Sequence, residues 1–221
     1  MLHTESTSEE LLKVLRKLMS MEMLTDFRLV GGTALSLLRG HRVSEDIDLF
    51  TYQEYGTVDF AIIEKEVKRI FPYVRNTEDD FPELKKIKSE YLHLYIGQDE
   101  TSAIKTDIQN WNDAFYFDQL QIEGIRFASE KEIAVMKLDA ISRGGRKKDF
   151  WDLSELLETY ALKDLLSLYK EKYPWYNIED VLKGLKDYST ADNMPDPICL
   201  KGKDWETIKK EISGEVDKLN K

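Results

Sequence analysis

The stretch VGGTALSLLRGHRVSEDIDLF, residues 30–50 of 221, decides the fold of this chain. The residues just before it, 27–30, favour a short strand that stops at Gly31 and Gly32, and residues 33–39 have the spacing of a helix. Residues 46–51 then alternate polar and apolar side chains, which is the period of a strand with one solvated face. We therefore predict a strand, a glycine turn, a short helix and a second strand.

Two carboxylates and two glycines in this stretch could carry chemistry. Asp46 and Asp48 are two residues apart, so in a strand both side chains project to the same side. Close carboxylates repel each other unless a cation keeps both ionised, and Mg²⁺ accepts such ligands together with phosphate oxygens and water. Gly31 and Gly32 let backbone N–H groups approach a phosphate at the start of a helix. Together these features predict a cradle for a metal-bound triphosphate.

Each feature alone has a plainer interpretation. A lone pair of aspartates separated by one residue usually lies on a solvated strand edge, and a lone pair of glycines usually forms a turn. Their occurrence together, at this spacing and between hydrophobic residues, favours the functional interpretation.

The rest of the chain changes character at about residue 127. Before that point the pattern predicts helices over 8–23 and 58–71 and two hairpins, 91–96 with 103–109 and 119–122 with 125–127. After it, Ser129 and Glu132 have the pattern of a capping box, and further helices are predicted over 147–159, 162–173, 178–187 and 204–219. We therefore predict a mixed α/β catalytic lobe over residues 1–127 and a helical lobe over residues 128–221.

Composition narrows the class of protein. Apolar residues make up 42% and aromatic residues 11%, which is typical of a chain that folds around a core. The net charge of −10 argues against a surface that binds nucleic acid as a whole, so such contact needs a local basic patch. The single cysteine, Cys199, excludes an internal disulfide and a thiolate zinc site. With no signal peptide and no apolar run near 20 residues, we expect a cytoplasmic protein without membrane contact.

Residues 30–50 resemble the signature of the nucleotidyltransferase AbiEii/AbiGii toxin family, a branch of the DNA polymerase β-like nucleotidyltransferase superfamily. The superfamily pattern is a glycine turn, a strand with two aspartates one residue apart, and a third carboxylate on a neighbouring strand. Gly31-Gly32, Asp46 and Asp48 match the first two parts, with thirteen residues between them, and Asp107 in a strand-like run matches the third. The resemblance covers about residues 27–157. It implies an α+β fold, with a mixed sheet and flanking helices followed by a helical lobe that closes over the nucleotide.

The resemblance also implies roles for residues of the predicted helices. Lys137 matches a helix lysine of the family and is expected to neutralise the triphosphate. Asp149 and Asp152 match a later helix with aspartates, and Asp149 is expected to orient Lys137 rather than bind metal. Arg143 or Lys148 is expected to assist with the triphosphate. The whole basic turn is expected to lie beside the site and to contact RNA: Arg143, Arg146, Lys147 and Lys148.

Several other residues have expected roles in substrate contact or in the structure. Because Gly32 replaces the serine of many superfamily members, any hydroxyl contact to phosphate is expected from Thr33 or Ser36. Lys105 is expected either to pair with Asp107 or to reach a phosphate. His41 and Arg42 lie near the aspartates in sequence and are candidates for substrate contact. The isolated histidines and the tryptophans are interpreted as structural: His3, His93, Trp111, Trp151, Trp175 and Trp205.

The resemblance implies a reaction and a biological role. Asp46 and Asp48 are expected to hold two Mg²⁺ ions on the triphosphate of an NTP, while Asp107 completes the ion that binds the acceptor hydroxyl. The hydroxyl attacks the α-phosphorus and pyrophosphate leaves. Some family members add nucleotides to tRNA 3′ ends, so the expected partners are an NTP, a tRNA acceptor and the cognate antitoxin of a toxin–antitoxin or phage-defence pair.

Two alternatives remain open at this level. A small-molecule nucleotidyltransferase, of the antibiotic-modifying sort, needs an acceptor pocket instead of a basic groove. A catalytically silent nucleotide-binding or partner-binding module does not need Asp46, Asp48 and Asp107 to converge within about 4–6 Å, the range of strong charge interaction.

Overall fold

The computed structural model describes residues 1–80, 89–111 and 113–219. Within them, the strands are β1 (Arg28–Leu29), β2 (Ile47–Thr51), β3 (Tyr73–Asn76), β4 (Tyr91–Gly97), β5 (Ile104–Asn110), β6 (Leu120–Ile122) and β7 (Ile125–Phe127). The helices are α1 (Glu9–Met19), α2 (Gly31–Arg39), α3 (Phe60–Ile70), α4 (Glu130–Ser142), α5 (Lys147–Leu157), α6 (Leu162–Lys172), α7 (Ile178–Gly184), α8 (Ser189–Asp192) and α9 (Trp205–Lys218).

The strands form one mixed sheet in the order β3-β4-β5-β2-β1-β7-β6. Strand β2 lies near the middle, parallel to β5 and antiparallel to β1. The register between β2 and β5 places Asp48 directly beside Asp107. The predicted α+β fold is confirmed, and so are both predicted hairpins, β4–β5 and β6–β7.

Side-chain alternation divides the sheet into a core face and a site face. In β2, Ile47 and Leu49 are buried, whereas Asp48 and Phe50 between them are only partly buried on the opposite face. Helix α1 packs against β4, β5 and β7 through its apolar stripe: Leu11, Val14, Leu15, Leu18 and Met19. The second face of the sheet is thereby left for α4 and for the functional residues.

The structure differs from the sequence-based prediction at several element boundaries. Helix α2 begins at Gly31 rather than Thr33, so the glycine pair is the first turn of the helix. Strand β2 begins at Ile47, which leaves Asp46 just before the strand. Strand β3 was not predicted, because its residues follow Pro72 and have little apolar alternation; it is held by antiparallel pairing with β4.

The second half of the chain is helical, as predicted. Helix α4 begins at the N-cap Ser129, whose Oγ accepts a hydrogen bond from the N–H of Glu132 at 3.2 Å. In a full capping box the carboxylate of Glu132 would also accept a hydrogen bond from the backbone N–H of Ser129. Here that carboxylate instead pairs with Lys172 and accepts a hydrogen bond from the N–H of Tyr116 at 2.8 Å. One continuous cluster of buried apolar residues runs through both halves. The division at residues 127 and 128 into two domains stays a prediction, and residues 220 and 221 lie outside the described range.

Candidate active site

A cavity of about 300 Å³ lies between the site face of the sheet and helix α4. The loop before β2, the first turn of α2, the strands β2 and β5, and the start of α5 also contribute to its walls. The structure brings nearly all of the predicted site residues to this one cavity: Gly31, Gly32, Asp46, Asp48, Asp107, Lys137, Arg143, Lys148 and Asp149.

The first turn of α2 approaches the carboxylate of Asp48 closely. Gly31 has a φ of +70°, and a Cβ built on it lies only 2.5 Å from Oδ2 of Asp48. A Cβ on Gly32 collides with the guanidinium of Arg42 in the same way. The preceding residue, Val30, supplies no side-chain cap, so the first N–H groups of the helix are left for a ligand. Glycine is therefore required here by both backbone conformation and space.

The carboxylate of Asp48 is held in an unfavourable electrostatic setting. Burial raises its pKa from 3.8 to about 6, and the negative charges of Asp107 and Asp46 act in the same direction. Among the residues that the structure describes, Asp48 has no ion-pair partner. A cation bound beside Asp48 relieves this repulsion.

The other two carboxylates are paired with cations of the chain. Lys148 Nζ lies 3.2 Å from Oδ2 of Asp46. Lys105 Nζ lies 2.5 Å from Oδ2 of Asp107. Burial lowers the pKa of Lys105, but the hydrogen bond and charge of Asp107, together with the charges of Asp46 and Asp48, outweigh it and raise that pKa. The alternatives left open for Lys105 are thus resolved in favour of pairing with Asp107. The two lysines offset part of the negative charge of these carboxylates.

His93 is a site residue that sequence reasoning missed. It lies opposite Asp107 in the β4–β5 register, and its Nδ1 is 2.8 Å from Oδ1 of that carboxylate. Its ring also packs against Tyr91, with centroids 4.7 Å apart and planes inclined by 36°. The hairpin pairing of β4 with β5 was the available signal, since counting residues across it places His93 beside Asp107.

The residues present fit Mg²⁺ bound together with a nucleotide. Within residues 1–80, 89–111 and 113–219, no group of three or more His, Cys, Asp and Glu side chains is arranged to hold a metal alone. Mg²⁺ does not require one, because one or two carboxylates commonly hold it while phosphates and water complete its shell. Asp48, repelled by two neighbouring carboxylates, supplies the unpaired oxygen ligand that such an ion needs. The donor set suits an ion that arrives with substrate.

Lys137 and Asp149 form a buried ion pair at the back of the cavity. Lys137 Nζ lies 2.7 Å from Oδ1 of Asp149 and 2.6 Å from Oδ2 of Asp152, and its side chain is only 8% exposed. Burial alone lowers the pKa of Lys137, but the two carboxylates outweigh it and raise that pKa. Asp149 also accepts a hydrogen bond from the N–H of Arg146 at 3.0 Å, which caps α5. The expectation that Asp149 orients Lys137 agrees with this contact.

Asp152 lies behind Lys137 and organises the loop before β2. Arg42 binds it with two hydrogen bonds, Nε to Oδ1 at 2.6 Å and Nη2 to Oδ2 at 2.9 Å, and His41 Nε2 lies 2.8 Å from Oδ1. Burial raises the pKa of Asp152, but Arg42 and Lys137 hold it well below the usual 3.8. Both side chains are buried on this carboxylate and neither lines this cavity, so the expected contact of His41 and Arg42 with substrate stays a prediction.

The expected hydroxyl contact to phosphate is also corrected. Thr33 is buried and does not line the cavity; its hydroxyl donates to the backbone carbonyl of Asp46 and shares a second hydrogen bond, 2.8 Å long, with the hydroxyl of Ser44. Ser36 is fully buried. Both residues lie on the face of α2 that packs inward, so neither reaches a phosphate. Thr33 instead fixes the backbone at Asp46.

The basic turn divides into exposed and buried cations. Arg143 and Arg146 keep side chains that are 61% and 59% exposed beside the cavity, although Arg143 pairs with Asp139. Lys147 is only 7% exposed, because it pairs with Asp196 at 2.8 Å. Lys147 is therefore removed from the predicted RNA-binding set, since the first turn of α5 directs it away from the opening.

One of the four tryptophans lines the cavity, contrary to its interpretation as core. Trp111 stacks on Phe50 with ring centroids 5.1 Å apart and planes inclined by 18°, and both rings face the cavity. Trp151 and Trp205 form the other stacked pair, which is buried among the helices. Alternation from Asp48 to Phe50 along β2 was the signal that indicated an aromatic ring on the site face.

A second cavity of about 330 Å³ shares a wall with the first. The wall between them includes the paired side chains of Asp46 and Lys148. The far wall is mostly apolar, and it comes from a segment that the backbone anchors through Val43 N to Ile198 O at 2.9 Å. Its side chains are Met194, Pro195, Pro197 and Ile198, with the charged Asp196 among them.

The model of the nucleotidyl transferase AbiEii toxin family, Type IV TA system, matches residues 13–220. The chain belongs to this family. AbiEii membership makes it a nucleotidyltransferase of the toxin class, and it implies an NTP substrate and a cognate antitoxin. The match extends through α9, so it includes the helices after residue 160, to which the sequence resemblance assigned nothing.

This AbiEii protein is also similar to individual known proteins. It is 31% identical over 183 residues to Uncharacterized protein aq_aa25 of Aquifex aeolicus (strain VF5), covering 81% of this chain and 82% of the relative. Three solved structures share the fold at lower identity. They are a putative nucleotidyltransferase from Helicobacter pylori (TM-score 0.58, 20% identity, 98% of this chain and 92% of that one), JHP933 from Helicobacter pylori (0.57, 21%, 95% and 88%) and the nucleotidyltransferase toxin MenT4 from Mycobacterium tuberculosis (0.52, 18%, 93% and 83%).

In the AbiEii chain, none of the helices within the described residues has the length and apolar character that crossing a membrane requires.

Proposed function

We propose that this toxin transfers NMP from an NTP to the 3′ hydroxyl of an RNA, with tRNA as the acceptor, in a Mg²⁺-dependent reaction. The observation that carries the proposal is the direct pairing of Asp48 with Asp107 across β2 and β5, on the cavity that the first turn of α2 also lines. Because NTPs and tRNA are cytoplasmic, the proposal keeps the location expected from the sequence.

The phosphates of the NTP are assigned to the glycine end of the cavity. The first N–H groups of α2, at Gly31 and Gly32, line this end together with the ammonium of Lys148. The positive end of the helix dipole also favours an anion there. Lys137 contributes its charge from behind, because its contacts with Asp149 and Asp152 keep it protonated. A triphosphate at this end draws Lys148 away from Asp46 and frees that carboxylate.

The transfer step takes place at the carboxylates. The acceptor oxygen forms a bond to the α-phosphorus while the bond from that phosphorus to the β-phosphate oxygen breaks, and pyrophosphate leaves with the electron pair. When bound, Mg²⁺ supplies the positive charge that stabilises the attacking and leaving oxygens. Asp46, Asp48 and Asp107 would hold it, and Asp107 accepts the hydroxyl proton, with His93 and Lys105 fixing its orientation.

The RNA is assigned to the side of the cavity with exposed arginines. Arg143 and Arg146 carry the cationic groups that an acidic protein needs near the opening, because long-range repulsion from a net charge of −10 opposes an approaching phosphodiester. Guanidinium groups bind phosphate oxygens in a bidentate manner. Such a local patch grips an acceptor end without requiring a basic surface elsewhere.

A small-molecule acceptor is the second candidate, and the second cavity favours it. Its volume of about 330 Å³ suits a small organic molecule. The cavity is lined on one side by the Asp46–Lys148 pair and on the other by the apolar side chains of Met194, Pro195 and Ile198. The family assignment, by contrast, favours transfer over the catalytically silent module.

The deciding experiment incubates purified protein with each of the four NTPs labelled at the α-phosphate, Mg²⁺ and total RNA. We expect label in the tRNA fraction, loss of label with EDTA, and no label with Asp48→Asn. The matched control is Asp217→Asn, which changes an exposed aspartate near the end of α9. Label confined to small molecules after addition of a cell extract supports the second candidate. Labelled RNA with the Asp48 variant at the wild-type rate contradicts the site.

A further inference from the structure

The active-site cavity has two chemically different ends. The glycine end carries cations and helix N–H groups, whereas the far end is lined by Phe50, Trp111 and the apolar side of α4. The paired carboxylates Asp48 and Asp107 lie between the two ends, because Phe50 follows Asp48 on the same face of β2. A nucleotide has the same division into a charged tail and a flat, largely apolar base.

We propose that the stacked rings of Phe50 and Trp111 form the nucleobase subsite, which holds the base of the incoming NTP. The inference rests on the proposed function only in taking an NTP as the nucleotide bound at the carboxylates. The class of ligand is any nucleoside triphosphate, because stacking on an aromatic surface tolerates every base.

The spacing along β2 matches the length of a nucleotide. Residues two apart in a strand are separated by about 6.8 Å along the chain, so Phe50 lies about that far beyond Asp48. An α-phosphorus held at the carboxylates places its ribose over this interval and its base over the aromatic rings. The opposite wall is formed by apolar side chains of α4, Ile133 and Met136, which leaves a slot for a planar group.

The stack is held rigidly and is not an ordinary core contact. The backbone N–H of Trp111 donates to the backbone carbonyl of Thr51 at 2.8 Å, which fixes the end of β5 against β2. The indole N–H has no acceptor among the described residues, although it is buried beside the cavity. By comparison, the Trp151–Trp205 stack has nearly parallel planes, inclined by 11°, but lies in the core away from any phosphate-binding group. Among the aromatic pairs of the described residues, only Phe50–Trp111 combines stacking with a place on the site wall.

Binding measurements that separate the two ends of the cavity test the subsite. The variants are Trp111→Leu, which removes the aromatic face and keeps an apolar side chain, and Trp111→Phe, which keeps an aromatic ring. Trp175→Leu is the matched control, because Trp175 is exposed and does not line the cavity. The probes are an NTP and inorganic triphosphate, each with Mg²⁺ and without RNA.

We expect Trp111→Leu to weaken NTP binding about tenfold, because stacking with the base is lost. Inorganic triphosphate, which has no base, should bind Trp111→Leu and the wild type equally. Trp111→Phe and Trp175→Leu should retain NTP binding. Equal loss of both probes with Trp111→Leu, or no loss of either, overturns the subsite.

Fluorescence provides a readout that does not need the leucine variant to fold. NTP should quench part of the wild-type tryptophan emission and inorganic triphosphate should not, because only a base stacks on the indole. The NTP-dependent quench should be absent in Trp111→Phe and present in Trp175→Phe. A quench that survives in Trp111→Phe refutes the subsite, and so does a Trp111 variant that raises the KM for RNA alone. Intact NTP binding without any RNA product refutes the RNA acceptor and leaves the subsite standing.

Discussion

Asp48 and Asp107 lie side by side on parallel strands, and of the two only Asp107 has basic side chains in contact, those of Lys105 and His93. Because Asp48 has no such partner, its ionised form is destabilised: burial and its two acidic neighbours raise its pKa to about 6. The ionised carboxylate therefore lowers the stability of the folded protein, although the proposed activity depends on it.

Replacing Asp48 with Asn should raise thermal stability at neutral pH while abolishing transfer. In the unfolded chain Asp48 ionises near pH 3.8 but in the folded protein only near 6, so folding becomes less favourable as pH rises between these values. The wild type should therefore lose melting temperature relative to Asp48→Asn from about pH 4 to 6, with a constant difference above. Melting curves across this range, with Asp217→Asn as control, check the expectation. A variant that is less stable at neutral pH identifies Asp48 as structural.

Lys137 and Lys148 should respond differently to replacement by alanine. Lys137→Ala leaves two buried carboxylates without their shared cation, which is expected to cost about 3–5 kcal/mol of unfolding free energy. Lys148→Ala removes one half-exposed surface pair with Asp46 and should cost less than about 1 kcal/mol. Both should weaken binding of NTP more than of nucleoside, because only phosphates respond to the charge. Urea unfolding and calorimetric binding measure the two effects; equal weakening for NTP and nucleoside contradicts the phosphate role.

Gly31→Ala and Gly124→Ala form a matched pair that isolates the close approach at the site. Both glycines have positive φ, +70° and +80°, so each alanine should cost about 1 kcal/mol from backbone conformation. A Cβ at position 124 meets nothing within 4 Å, whereas at position 31 it collides with the carboxylate of Asp48. Gly31→Ala alone should therefore lose NTP binding and transfer. Retained transfer in Gly31→Ala shows that the first turn of α2 is not the phosphate cradle.

The double replacement of Arg143 and Arg146 by alanine should raise the KM for RNA, and the increase should be larger at low salt. The KM for NTP should change less, because Gly31, Lys137 and Lys148 lie at the phosphate end. Lys147→Ala is the contrasting variant, since it loses the pair with Asp196 and should reduce stability while sparing RNA affinity. Steady-state kinetics at two salt concentrations, with each substrate varied in turn, measure these effects. Unchanged RNA kinetics at both salts shift the acceptor toward a small molecule.

Local sequence patterns predicted the parts of the site that depend on short-range geometry. The alternation at Asp46 and Asp48 and the helical position of Lys137 depend only on strand and helix periods, and the structure places all three on one cavity. The contacts that were missed include pairs of residues far apart in the chain. Arg42 meets Asp152 across 110 positions, and nothing in the local pattern around either residue indicates that pairing.

Burial of individual side chains accounts for most of the remaining differences between the sequence-based predictions and the structure. Thr33 and Ser36 are polar residues of a short helix, and sequence alone does not tell which face of that helix packs inward. Lys147 is one residue from the half-exposed Lys148, yet the first turn of α5 sends it to Asp196 and the ring of Trp205. Charge density in a sequence therefore located the basic turn without identifying which of its cations are free to meet a ligand.

The Arg42–Asp152 contact also limits how substrates enter. It fastens the loop before β2 to α5, and the same loop is bound on its other side by the hydrogen bond from Leu200 N–H to the carbonyl of His41. Opening the molecule along this seam requires separating a buried, doubly hydrogen-bonded ion pair. We expect a nucleotide to enter instead past the side chains of Arg143 and Lys105, which are accessible beside the cavity.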